Sequence, residues 1–529
     1  MDTAALAALL VAGVVALTPL SDRLRVPQPV LLTLFGLLVA LVPGTPRLEI
    51  EPSLVLPLVL PPLLFAATQR TTVREFRAHA RPVLLMAVGL TLATIVVVAV
   101  TAHVLGLPWE ASWVLGAIVS PPDPVAATAV ARGLHLPHRL VTILEGEGLF
   151  NDATALVAFK VALAAAVTGG FSWGGTLEEA ALSIGIGVPL GLALGWLTTR
   201  VLRLVDDGAA ETTVTVLVPY LAYLGAEHLR GSGVLAVLSL GLFLTTFSHP
   251  STTSEGWLLG RSVWEYADFL VTSLVFALVG YELVKVGRET RLDSITLLHA
   301  AVVVVVLVVL RPLWVFPFAA VFRVRAKRRD EPIPTGWRES AVVSWAGMRG
   351  VVTVAAALSV PLMTTSGEDL AGRDELLVIA LSCVLVTLLV QGLTLQPLVT
   401  WLRVSGSSLD EVAELAKLRR RAAEQALRLV RRQMEQGQDA PPDVVRTAVV
   451  ERYEGLIASQ QALEQLRRGA DGEDPDHETA DLLARWLRRA AGAERDYVVE
   501  RRRRGLASPE VADAALREIE GRALRTTGY

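Results

Sequence analysis

Residues 113–131 read WVLGAIVSPPDPVAATAVA, an apolar run with Pro121, Pro122, Asp123 and Pro124 at its centre. A helix that crosses a bilayer needs roughly 20 predominantly apolar residues, and this run has that length. Three prolines in four positions remove backbone donors and push the residues before them out of α geometry, so the helix must break midway. Broken backbone at membrane depth is tolerated only where it is buried in protein or lines a polar cavity. Such a break frees carbonyls and presents a half-helix end, a device of ion transporters.

Similar apolar runs recur on both sides at intervals of about thirty residues, and the 529-residue chain is 52% hydrophobic with a mean hydropathy of +0.50. Together these define an all-α polytopic membrane protein. About thirteen spans are predicted, near 4–20, 28–42, 52–68, 82–107, 110–132, 139–168, 177–203, 212–229, 232–248, 263–284, 293–322, 337–362 and 374–402. The loops after odd-numbered spans hold 16 Lys and Arg, among them Arg70, Arg74, Arg77, Arg323 and Lys327, against 6 after even-numbered spans. The bias sets the odd loops and the C-terminal tail in the cytoplasm and the N-terminus outside, in the cell inner (plasma) membrane. No basic region precedes Ala4–Leu20, so the first span reads as a retained helix. Cys383 is the only cysteine, which excludes an intrachain disulfide and a cysteine metal cluster.

Past residue 404 the composition turns to Arg, Glu, Ala and Leu. Residues 1–404 therefore form a transmembrane domain, and 405–529 a soluble helical tail with a regulatory or oligomerisation role. Asp471–His477 reads as a polar break and Ser508-Pro509-Glu510 as a helix start. The basic run Arg501–Arg504 reads as a solvated helix face, with contact to anionic lipid the alternative.

Ionisable groups inside a span cost a few kcal/mol at least, so each needs a physical reason. Asp123 lies within the proline break, where it either caps the second half-helix or tunes an adjacent ion site. The sixth span carries Glu145, Glu147, Asn151 and Asp152. Asn151 is one turn from Glu147 on the same face, whereas Asp152 is rotated by about 140°. The two acids thus look in different directions, and at least one must meet a cation. Arg311, after the apolar run Ala300–Leu310, needs a partner at that depth, and Glu147 or Glu145 is the available acid. In the twelfth span Arg349 stands between Gly347 and Gly350, a second place where the helix can be interrupted. Arg349 either lines a cation path or answers carbonyls freed by the breaks. The two interrupted spans are seven apart, hence opposite in direction, as in an inverted repeat whose broken helices cross.

These segments together resemble the electroneutral cation/proton antiporters, the NhaP-like bacterial exchangers related to animal sodium/proton exchangers. The resemblance rests on Ser120–Ala127 (SPPDPVAA), Glu147–Ala153 (EGLFNDA), Leu310–Val315 (LRPLWV), Trp345–Thr353 (WAGMRGVVT) and Leu60–Phe65 (LPPLLF), in order over residues 4 to about 403. It implies a homodimer of thirteen-helix protomers, each with a core domain (about 82–168 and 293–402) and an interface domain. It implies that Asp152 carries the sodium ion or the proton, that Asn151 holds the broken-helix region, that Asp123 stands at the crossing and that Glu147 pairs with Arg311. Asn before Asp goes with electroneutral exchange in that family. Gly148 and Ala66 depart from its commoner pattern, which has a hydroxyl and an acid at those places, and both changes remove oxygen ligands. Thr68 and Gln69, at the end of the third span, are nearby polar residues, with a place facing the cytoplasmic interface the alternative.

The expected function is therefore Na+ (or Li+) exchange for H+ by competition at Asp152, with Ser120 and the freed carbonyls of Pro121 and Pro122 as further oxygen ligands. No cofactor and no enzymatic activity are expected; the partners are monovalent cations, protons and membrane lipid, and not nucleic acid. A K+/H+ antiporter on the same scaffold is the nearest alternative, and a cation channel or membrane sensor a more distant one. An aspartyl dyad of Asp123 and Asp152 fits the paired Arg311 and the broken helices less well than an ion site. The histidines show no metal-ligand spacing, and there is no Gly-rich phosphate loop.

Overall fold

The computed structural model describes residues 3–24, 26–43, 45, 51–69, 84–123, 136, 138–168, 173–248, 252–289, 294–329, 336–404, 408–436 and 443–468, with 486, 489–490, 492–501, 515–516 and 518–519 beyond them. The chain divides into two compact units, Met1–Val404 and Ser405–Tyr529. Arg70, Arg74, Arg77, Arg81, Arg132, Pro124 with the second half of the fifth span, Asp471–His477, Ser508–Glu510 and Arg502–Arg504 lie outside the described residues.

The regular elements described in the first unit are all helices. The helices are α1 (Thr3–Leu24), α2 (Gln28–Leu41), α3 (Pro52–Thr68), α4 (Leu85–Val104), α5 (Trp109–Val119), α6 (His138–Thr168), α7 (Trp173–Leu202), α8 (Gly208–His228), α9 (Gly233–Phe247), α10 (Ser254–Glu289) and α11 (Ser294–Arg329). They are followed by α12 (Trp337–Trp345), α13 (Val351–Leu358) and α14 (Arg373–Leu402). Among the described residues six helices are long and apolar enough to cross a membrane, in α4, α6, α7, α10, α11 and α14. Val15, Leu58, Leu298, Val305 and Leu313 point outward with more than half of their surface exposed. An apolar exterior of this kind suits lipid, which asks only that backbone polar groups be satisfied within each helix.

Inside, small residues let helices touch backbone to backbone. A Cβ on Gly36 of α2 would fall 1.8 Å from the Ala277 carbonyl oxygen of α10, and one on Gly280 would fall 1.9 Å from that of Thr33. Hydrogen is the only side chain that fits either place, and such close approach is how helices associate where lipid removes the hydrophobic drive between them. Both α4 and α14 contain a π turn, at Leu85–Leu90 and Leu388–Gly392. The second turn lies directly after Thr387, a residue of the candidate site, and π turns recur at functional sites.

The second unit contains α15 (Ser408–Gln436) and α16 (Asp443–Arg468). Ala416, Ala423 and Leu427 of α15 are buried at spacings of seven and four, the pattern of a helix-pair seam. Arg431 of α15 meets Glu454 of α16 at 2.6 Å.

Candidate functional site

The site is built on two interruptions. Helix α5 ends at Val119, and Ser120, Pro121, Pro122 and Asp123 follow as buried, non-helical residues. Helix α12 ends at Trp345 and α13 begins at Val351, with Ala346–Gly350 non-helical and buried between them. The interruptions meet: the backbone N–H of Asp123 donates to the Met348 carbonyl at 2.7 Å. The Asp123 carboxylate lies against Gly350, the residue before α13, where a Cβ would stand 1.6 Å from Oδ2. Any side chain there would displace the acid.

Carbonyls released by a break at this depth must find donors. Arg349 supplies them to both breaks at once. Its Nε donates to the Val119 carbonyl of α5 at 2.7 Å, its Nη1 donates to the Gly347 carbonyl, and its backbone N–H donates to Thr387 Oγ1 of α14 at 3.0 Å. Arg349 is buried, and its Nε and Nη1 are engaged with the backbone of the crossing.

Helix α6 brings the other acids. Glu147 forms a bidentate pair with Arg311 of α11, Nη1 to Oε1 at 2.7 Å and Nη2 to Oε2 at 2.8 Å, both residues at most 4% exposed. Parallel fork geometry of this kind gives the strongest carboxylate contact a side chain can make. Arg311 Nε also donates to the Val343 carbonyl of α12 at 3.0 Å, and its stem crosses Gly347, where a Cβ would meet Cδ at 2.5 Å. Glu147 and Arg311 thereby tie α6 and α11 to the end of α12.

One turn on, Asn151 is fully buried; its Nδ2 donates to the Pro122 carbonyl at 3.2 Å, while its Oδ1 accepts no hydrogen bond among the described residues. Asp152 is half-buried, accepts no hydrogen bond among the described residues, and lies within reach of the Asp123 charge. Ser120 is buried with its hydroxyl donating to the Ala117 carbonyl, which leaves its lone pairs available. The Pro122 carbonyl is shared with Asn151. The arrangement gathers carboxylate, amide and carbonyl oxygens around one buried crossing, the ligand chemistry a hard monovalent cation requires, while the neighbouring guanidinia are held by other partners.

Thr68 is not part of this group. It packs on Gly241 of α9, its hydroxyl donating to the Phe65 carbonyl, and Gln69 is exposed. Two contacts carry no sequence signal of their own: a lone threonine such as Thr387 in an apolar helix is unremarked, and backbone groups such as the Met348 carbonyl have no residue type. A third had one. Lys160 of α6 is an ionisable group inside an apolar run. Its Nζ donates to Glu227 Oε2 of α8 at 2.9 Å and to the Gly231 carbonyl at 2.7 Å.

The sequence profile of the transmembrane sodium/hydrogen exchanger family matches residues 7–401. The chain belongs to this family. An uncharacterised Na+/H+ exchanger of Mycobacterium tuberculosis is 34% identical over 519 residues, covering 97% of this chain and 93% of the relative. A sodium, potassium, lithium and rubidium/H+ antiporter of Bacillus pumilus is 30% identical over 427 residues, covering 77% of this chain and 63% of its own length. The fold matches the sodium proton antiporter MjNhaP1 of Methanocaldococcus jannaschii with a TM-score of 0.58 at 18% identity, over 76% of this chain and 99% of that one. The exchanger is thus a multi-pass membrane protein whose relatives are transporters and not enzymes.

Proposed function

We propose that the exchanger moves Na+ against H+ by competition at Asp152. One observation carries the reading: Asp152 accepts no hydrogen bond from the described chain, beside an Asn151 Oδ1 in the same condition, at the crossing of two broken segments. A proton or a sodium ion neutralises the acid, and either form crosses; the bare carboxylate does not, because desolvating an unpaired charge is too costly. Coupling then needs no further part, and Asn151, being neutral, leaves the exchange electroneutral. Asn151, Asp123, Ser120 and the Pro122 carbonyl complete the ion's surroundings, and Glu147, Arg311 and Arg349 hold them in place.

The larger expectations are supported by the family and by loop charge. They are a homodimer of thirteen-span protomers with the inverted-repeat arrangement, a core of about residues 82–168 and 293–402 rocking against an interface domain, and a cytoplasmic C-terminal tail. A second reading, K+/H+ exchange on the same site, draws on Gly148 and Ala66, which supply no side-chain oxygen.

The test is dissipation of a pH gradient in proteoliposomes on addition of NaCl, LiCl or KCl, with Asp152→Ala alongside. A response to sodium and lithium that the variant lacks is expected; a response to potassium alone selects the second reading. Exchange by Asp152→Ala would remove both.

A further inference from the structure

The threonines of the membrane unit follow a common habit. Thr33, Thr94, Thr101, Thr154, Thr168, Thr198, Thr199, Thr212 and Thr387 each donate the hydroxyl to a carbonyl one turn back. This is the usual resolution for a hydroxyl in an apolar helix. Two buried threonines break the habit, Thr272 of α10 and Thr353 in the first turn of α13, and of these Thr353 stands next to the crossing. Thr353 is 1% exposed, and its Oγ1 has no hydrogen-bond partner among the described residues.

Its neighbours fix the direction it faces. Ala356 and Ala357, three and four residues on, share its face of α13, and Val360 follows just past its end. All three pack in the apolar cluster that contains Ile118 and Val119 of α5, Phe65 and Ala66 of α3, and Ala153 and Leu156 of α6. Val351, Val354 and Ala355, on the opposite side, pack with Leu381, Val384 and Leu388 of α14. Thr353 therefore lies on the face of α13 turned to this cluster, to which α3, α5 and α6 contribute. One turn before it on that side is Gly350, against which the Asp123 carboxylate rests.

We infer that the Thr353 hydroxyl is a further oxygen ligand of the transported cation, completing from α13 the set that Asp152, Asn151 and Asp123 supply from α6 and the α5 break. A hydroxyl that donates to no carbonyl keeps both lone pairs for a hard cation, and a threonine is stiff at χ1, so the oxygen stays in place between cycles. The inference rests on the reading of Asp152 as the carrying acid.

The test compares Thr353→Ser, Thr353→Cys and Thr353→Val with wild type and Asp152→Asn in proteoliposomes, reading the apparent KM for Na+ and Li+ at fixed pH. Ser and Cys differ only in oxygen against sulfur, and sulfur is a poor ligand for a hard cation. The expected result is a rise in KM of about three- to tenfold for Cys and Val, exceeding any fall in maximal rate, with Ser at the wild-type value. Should Val fail to fold, the Ser–Cys pair decides alone. Equal KM for Ser and Cys overturns the inference and leaves the carrying acid untouched. Absence of sodium exchange in wild type, or its persistence in Asp152→Asn, overturns the underlying reading instead.

Discussion

Five residues apart on α6, Glu147 and Asp152 receive opposite treatment from the same protein. Glu147 is buried and answered on both oxygens by the Arg311 fork, which is itself held by the Val343 carbonyl. Asp152 is half-buried, receives no donor among the described residues, and has a second acid, Asp123, within range of its charge. A rotation of about 140° along the helix separates the two environments. The first acid is matched so completely that nothing else can bind it. The second is left with its bonding capacity unspent, as a group must be if its partner is to come and go.

One edit made at both places, acid to amide, tests this difference most directly. Asp152→Asn is expected to abolish exchange in proteoliposomes without lowering the thermal midpoint of the purified protein, since no bond within the described chain is lost. A fall in stability like that of the Glu147 variant would erase the distinction. Glu147→Gln is expected to lower stability by about 3–5 kcal/mol, read as a loss of monodisperse protein in size-exclusion chromatography, because it strands the buried Arg311 charge. Normal yield and midpoint would show that Arg311 does not depend on the pair.

Removing both charges sharpens the point. Glu147→Leu combined with Arg311→Met is expected to recover most of the single-variant loss, to within about 1–2 kcal/mol of wild type, because two desolvated charges disappear together. No recovery would mean that the fork also does work for the Val343 carbonyl that an apolar pair cannot replace. Gly350→Ala should cost about 1–3 kcal/mol, since its Cβ lands on the Asp123 carboxylate. It should also weaken the apparent sodium affinity; an unchanged KM would show that the place of Asp123 is not critical. The smallest effect belongs to Lys160→Met, about 0–1 kcal/mol, because Lys160 and Glu227 are 25% and 36% exposed. A loss near that of Glu147→Gln would show that this pair is far better shielded than its exposure indicates.

Much of this was legible in the sequence because membrane helices obey a severe rule. A helix stands at each predicted apolar span, and the prolines at 121 and 122 dictate where α5 stops. The break after Trp345 had a weaker cue, glycines at 347 and 350, which permit an interruption without requiring one. What sequence could not supply is pairing through backbone. The N–H of Asp123 and the carbonyl of Met348 carry no side-chain signal; Arg349 was one candidate to answer freed carbonyls, but nothing singled out that of Val119, 230 residues away. The π turns of α4 and α14 were equally invisible, since one extra residue in a turn leaves hydrophobic periodicity almost unchanged over so short a length. Thr68 shows the converse: near Ala66 in the chain, it turns toward α9 instead.

The guanidinium of Arg349 acts in mechanical terms as a rivet. It joins the end of α5 to the gap between α12 and α13, and its backbone N–H pins that gap to α14. Sliding either interrupted segment along the other would shear bonds for which lipid offers no substitute. These bonds therefore brace the crossing as one part, in contrast to the seams where helices meet through side chains alone.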